Sequence, residues 1–95
     1  MIATGIKLLF FGSFRDIMGS KEFKIEVKEP IVLNTFLDLI IANQPNFKEI
    51  LNFITNTDLA QPVIIVLNGT VLKSVTEIIV EPGSELAFLP PIGGG

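Results

Sequence analysis

The spacing of apolar residues changes repeatedly along the chain, and each change divides it into elements. Residues 6–11 form a nearly unbroken apolar run closed by Gly12, the pattern of a strand buried on both faces. A connection over residues 12–20 follows, with glycine at Gly12 and Gly19. Phe23, Ile25 and Val27 then alternate with Lys24, Glu26 and Lys28, a period of two that predicts a half-exposed strand. The modest loop between these two strands makes an antiparallel hairpin the simplest pairing. Pro30 ends the second strand, and Asn34 or Thr35 is placed to cap a helix with Asp38 in its first turn. Phe36, Leu37, Ile40 and Ile41 form that helix's apolar stripe, and Pro45 stops it near Asn43. Phe47, Ile50, Leu51 and Ile54, at i, i+3, i+4 and i+7, predict a second, shorter helix. Residues 55–61 are polar and read as a loop.

Beyond Pro62 the period shortens again. Residues 63–67 are an apolar, β-branched run, and Asn68-Gly69 is the strongest short hairpin signal, so Val71 and Leu72 pair back. Residues 78–80 are a brief extended piece, Glu81-Pro82-Gly83-Ser84 is a turn, and residues 85–89 are the last strand. The order predicts an α+β fold: a mixed sheet of about five strands packed on one main helix plus a short second helix. That is the β-grasp, or ubiquitin-like, arrangement. A ferredoxin-like fold needs a second crossover helix between Leu72 and Glu85, where there is no room for one. Residues 1–89 form one domain and residues 90–95 a projecting tail.

Composition removes most chemistries. The chain has no Cys and no His, which excludes disulfides, the usual zinc ligand sets, thiol nucleophiles and imidazole catalysis. A net charge of −3 without a basic run argues against nucleic acid and anionic membranes, and no apolar stretch is long enough to span a bilayer. A cytoplasmic location is the expectation. Charged residues are only 18% of the chain, which implies either a thickly packed core or apolar surface left for a partner. The glycines at 12, 19, 69 and 83 match no phosphate-loop pattern and are turn residues. The carboxylates repeat no calcium or magnesium loop. Lys73-Ser74 is a poor nucleophile and base, because neighbours on a strand face opposite ways. Arg15, the single arginine, lies in the loop after the first strand, to orient backbone, bind an anion or serve as surface charge.

What remains is the end of the chain, Pro90-Pro91-Ile92-Gly93-Gly94-Gly95. Proline fixes φ, and Pro91 biases Pro90 toward extended geometry, so the pair holds the tail away from the domain. Glycine passes where no other residue fits, and at roughly 3.3 Å per residue the tail reaches about 20 Å. The terminal carboxylate is the one reactive group there and is ionised at neutral pH. This is the shape of a carboxylate delivered into another protein's active site. Plain disorder of a glycine-rich end is the alternative. Ile92 has little domain left to pack on and suits a groove in a partner.

Phe10-Phe11-Gly12-Ser13-Phe14-Arg15-Asp16 with Gly19, then Val66-Leu67-Asn68-Gly69, then the stretch from Glu81-Pro82-Gly83 through Pro90-Pro91-Ile92-Gly93-Gly94-Gly95, resembles the MoaD-like small subunit of molybdopterin synthase. The likeness is specific at the two ends and vague across the helices. It implies a β-grasp sulfur carrier. An adenylating activating enzyme, using ATP, attaches AMP to the Gly95 carboxylate, and a persulfide-derived sulfur replaces AMP to leave a thiocarboxylate. The large synthase subunit, in a heterotetramer, accepts the tail, and the sulfur passes to cyclic pyranopterin monophosphate in molybdenum cofactor biosynthesis. Gly95 carries the sulfur, Gly93 and Gly94 allow entry, Pro90 and Pro91 aim the tail, and Phe88, Leu89 and Ile92 contact the partner. The chain itself binds no cofactor and is a cosubstrate, not a catalyst on its own. Gly93 stands where the family has another small residue, and Phe14 where a smaller aliphatic one is common. The carrier of thiamin thiazole synthesis also ends in two glycines but is typically shorter and lacks the double proline. A ubiquitin-like modifier joined to lysines through Gly95, and a carrier for thiazole or tRNA thiolation, are the alternatives.

Overall fold

A computed structural model describes residues 5–55, 63–73 and 77–90, with the backbone alone at residues 53–55. Ser74, the loop residues 56–61, and Pro91, Ile92, Gly93, Gly94 and Gly95 lie outside the described residues. The elements are β1 (Gly5–Phe10), α1 (Ser13–Met18), β2 (Glu22–Glu26), β3 (Ile31–Val32), α2 (Leu33–Asn43), α3 (Phe47–Thr55), β4 (Ile64–Leu67), β5 (Thr70–Val71), β6 (Ile79–Val80) and β7 (Glu85–Leu89). They build a five-stranded mixed sheet in the order β2-β1-β7-β4-β5, with a separate two-stranded sheet of β3 and β6. The expected hairpins are present. β1 pairs antiparallel with β2, Leu8 opposite Phe23, and β4 pairs antiparallel with β5, Val66 opposite Val71.

The last strand lies at the centre. β7 runs parallel to β1, with Phe10 beside Phe88, and antiparallel to β4, with Phe88 opposite Ile65. Alternation turns Ile6, Leu8, Phe10, Leu86, Phe88 and Ile65 to one face, where they meet Phe14, Leu33, Phe36, Ile40, Phe47 and Ile50 from the helices. Phe88 is the hub of this core. Its ring stacks on Phe10 at 5.4 Å and 13° and meets the edge of Phe47 at 5.3 Å and 71°. Phe47 and Phe23 each approach Phe10 edge-on as well, at 6.1 and 6.0 Å. Among the described residues no buried side-chain polar atom lacks a hydrogen-bond partner.

Several expectations are corrected. Residues 12–20 are not simply a connection, because α1 stands within them. Phe14 and Met18 bury on the core with Ile17 half-buried against it, and Gly19 ends the helix at φ 76° with its N–H donating to the Arg15 carbonyl. Helix α2 begins before Asn34 and Thr35, and neither caps it. Its first N–H, from Leu33, donates to the Ile78 carbonyl at 2.8 Å, so the backbone entering β6 supplies what a side-chain cap would. Asp38 consequently lies past the first turn. The end at Asn43 agrees with the expected stop before Pro45.

Two turns hold the sheet's charged end. In Glu81-Pro82-Gly83-Ser84 the Ser84 N–H donates to the Glu81 carbonyl, and Gly83 has φ 89°, the conformation glycine favours. At the β4–β5 turn both Asn68 (φ 48°) and Gly69 (φ 85°) are left-handed, as a two-residue hairpin requires. Asn68 also ties this turn to β7. Its Oδ1 accepts the Glu85 N–H at 2.8 Å and its Nδ2 donates to Ser84 Oγ at 3.2 Å.

Removing the Phe88 ring leaves a cavity at the junction of sheet and helices. Phe88→Ala is expected to lower unfolding free energy by about 3–5 kcal/mol, read from urea denaturation. Asn68→Ala loses both the left-handed preference and the two side-chain bonds, whereas Asn68→Gly loses only the bonds. Alanine is expected to destabilise by about 1–2 kcal/mol more than glycine in the same assay, because it alone adds left-handed strain.

Candidate functional site

The site is the end of β7 and the open face of the sheet beside it. Residues that alternate away from the core form this outer face. In β1 they are Gly5, Lys7 and Leu9, in β7 Glu85, Ala87 and Leu89, and in β4 Ile64 and Val66. Register aligns Leu9, Ala87, Val66 and Val71 in one row across four strands. Leu89 and Ile64 make the next row, and Phe11 continues the outward alternation of β1 beside them. Leu9, Val66, Leu89 and Ile64 are only partly buried, Phe11 and Val71 are 38% and 58% exposed, and the small Ala87 between its larger neighbours is itself buried.

The face is polarised along its strands. Lys7 stands between Lys24 and Glu85 at the end where β7 begins, and the Lys24 stem lies across Gly5. The apolar rows occupy the end where β7 finishes. The chain therefore passes from Leu89 to Pro90 at the border of an uncovered apolar strip.

This corrects the reading of residues 6–11 as buried on both faces. The core covers one face only, and the apolar character of Leu9 and Phe11 belongs to the outer strip. Low charge content was the available signal that such a surface remained uncovered. A second exposed apolar pair, Val32 opposite Ile79, lies in the small sheet, away from the ladder that leads to Pro90.

The candidate residues divide accordingly. Phe88 offers no side chain to the surface. Its side chain is fully buried, because the period of two that turns Leu89 outward turns Phe88 into the core. Leu89 and Pro90 are half-buried at the border of the strip. Arg15 is on α1, not in a loop, and is exposed, with its carbonyl capping the helix through Gly19. The remaining predicted positions, Pro91, Ile92, Gly93, Gly94 and Gly95, lie outside the described residues. Among the described residues no group of three acidic side chains gathers as a metal site, and no helix is long and apolar enough to cross a membrane.

Ala87 and Val66 were not singled out by sequence reasoning. Only the register, which no local pattern encodes, brings them into one row with Leu9 and Val71.

Comparison with known proteins agrees with this architecture. The fold is similar to the solution structure of the HVO 2177 protein of Haloferax volcanii, with 20% identity, a TM-score of 0.71, and coverage of 98% of this chain and 88% of that one. It is similar to small archaeal modifier protein 1 of Methanosarcina acetivorans, with 21% identity, a TM-score of 0.66 and 98% coverage of each chain. It also resembles a Pyrococcus furiosus protein assigned as molybdopterin converting factor, subunit 1, with 19% identity, a TM-score of 0.66, and coverage of 95% and 100%. No curated protein matches the sequence. The ThiS family model matches residues 8–95, nearly the whole chain. With its five-stranded mixed sheet, its helices on one face and a match that runs to Gly95, this chain is a ubiquitin-like β-grasp protein that belongs to the ThiS family.

Proposed function

We propose that the chain is a sulfur carrier working as the small subunit of molybdopterin synthase, with the Gly95 carboxylate as its reacting group. The observation that carries this reading is the continuity of β7, Pro90 and the apolar strip. A partner that covers Leu9, Val66 and Val71, the row that Ala87 joins beneath them, stands where the chain leaves the sheet, so docking and tail delivery share one surface. The side chains of Leu89 and Pro90, half-buried in the free chain, complete that surface.

The chemistry follows from the carboxylate's poor reactivity. A carboxylate resists nucleophiles because its carbonyl carbon carries little positive character and has no good leaving group. Attack of a Gly95 oxygen on the α-phosphate of ATP expels pyrophosphate and gives a mixed anhydride. The outer sulfur of a donor persulfide then adds to that carbonyl and AMP departs, leaving an acyl disulfide. A thiol attacks the donor's inner sulfur, the S–S bond breaks, and the thiocarboxylate is released as donor and thiol form a disulfide. ATP and the persulfide donor are used by the activating enzyme, and this reading assigns the chain to the cytoplasm with its partners. The large synthase subunit supplies the cyclic pyranopterin site and the catalytic groups. This chain's part is to carry sulfur on a tip without side chains, narrow enough to enter both active sites.

The likeness to small archaeal modifier protein 1 supports a second reading, in which the same adenylate is attacked by a lysine amine to form an isopeptide. The two fates diverge only at the attacking nucleophile.

Intact mass of the chain recovered from its native cell separates them. Exchange of one oxygen for one sulfur on a chain ending at Gly95 is the expected result. Conjugates on other proteins, without the thiocarboxylate, would assign the modifier role instead, and an unmodified chain throughout would remove both. Val66→Asp places a charge in the middle of the strip. It is expected to weaken binding to the synthase large subunit of the same organism by about tenfold or more in calorimetry, with little loss of thermal stability.

A further inference from the structure

Pro90 is the first residue after β7, and it cannot extend the ladder because it has no N–H. The last bond to β1 precedes it, from the Phe11 N–H to the Phe88 carbonyl at 3.2 Å. Leu89 still pairs with Ile64 of β4, but no hydrogen bond donated by Pro90 sets the direction in which the chain leaves the sheet. Packing does, and the contact lies on Gly12. A Cβ placed on Gly12 would stand 3.0 Å from Pro90 Cγ and 3.6 Å from Pro90 Cδ, the first of these closer than nearly all real side-chain contacts. The proline ring thus rests directly on bare backbone.

Gly12 has little freedom to withdraw. Its φ of 57° with ψ of −135° is a conformation that residues with a Cβ rarely adopt. Its carbonyl accepts the Arg15 N–H at 3.1 Å, and the Phe11 carbonyl accepts the Phe14 N–H at 3.1 Å. Phe14, 1% exposed, anchors the same turn in the core. The turn between β1 and α1 is consequently fixed from both sides, and the ring of Pro90 is the element that would yield.

We propose that Gly12 is a positioning residue for the tail: its lack of a side chain seats the Pro90 ring and so sets the angle at which the chain leaves β7. The contact stands on geometry alone, and its consequence for activation rests on the sulfur-carrier reading above. A Cβ at residue 12 pushes the ring outward and re-aims everything beyond it, although Gly12 is remote in sequence from the reacting carboxylate.

The test uses the full chain in two arms. In the first, Asp16→Cys supplies the one thiol in a cysteine-free protein, and a nitroxide on it broadens tail amides by distance. Gly12→Ala is expected to change the broadening at Gly93, Gly94 and Gly95, and Pro90→Ala to change it as well. If both leave it unaltered, the proposal is overturned. Pro90→Ala keeps the arm decisive should Gly12→Ala fold poorly. The second arm measures adenylation by the organism's activating enzyme. Gly12→Ala is expected to raise the KM for this chain about tenfold with kcat changed less than about twofold, and to add nothing further in the Pro90→Ala background. A lower melting temperature with unchanged KM, or full additivity of the two substitutions, would reduce Gly12 to a structural role and overturn the proposal. Failure of the unaltered chain to be adenylated would overturn the sulfur-carrier reading instead, and the nitroxide arm would still decide the contact.

Discussion

Phe10 and Phe88 stack between the first and last strands, and the parallel pairing of β1 with β7 behind them puts the end of the chain in the middle of the sheet. Everything around the site depends on that placement. With β4 on its other side, β7 is hydrogen-bonded along both edges, so its outward residues sit in a surface four strands wide. An edge strand could offer only a margin. The same pairing brings the turn after β1 against the residue after β7, which is how Gly12 meets Pro90.

The two faces of β7 divide the work. Inward, Leu86 and Phe88 are fully buried and join sheet to helices. Outward, Ala87 and Leu89 belong to the apolar strip. Burial of the inner residues, at about 25 cal/mol per Å² of apolar surface, fixes the strand well enough for the outer row to be a preformed surface. Order in the rows that end at Leu89 is therefore secured by residues buried beneath them.

Much of the fold was legible because its signals are local. Alternation at Phe23, Ile25 and Val27, the Asn68-Gly69 turn, the stop at Pro45 and the Glu81-Pro82-Gly83-Ser84 turn each encode their own geometry within a few residues. The missed features depend on distant partners. α1 has too few residues for a periodic pattern to persuade, although Phe14, Ile17 and Met18 followed by Gly19 do carry one. The start of α2 is set by a carbonyl at Ile78, far along the chain. β3 escaped notice because its whole signal is two residues whose partner is β6. For the candidate site, the proposed chemistry rests on the terminal sequence alone, while the apolar strip beside it depends on register. Phe88 stands beside the tail in sequence, but the alternation of β7 turns its side chain into the core.

The central position of β7 also decides how the domain answers a mechanical load. A tug along the tail, such as a partner exerts while drawing it in or letting it go, is transmitted at Pro90 into a strand bonded on both sides. Force along β7 loads its bonds to β1 and β4 together, in shear, so no single bond can open before the rest. Were the tail attached to an edge strand such as β5, the same pull would peel pairs away one after another. This arrangement lets the tail be pulled while the domain stays folded.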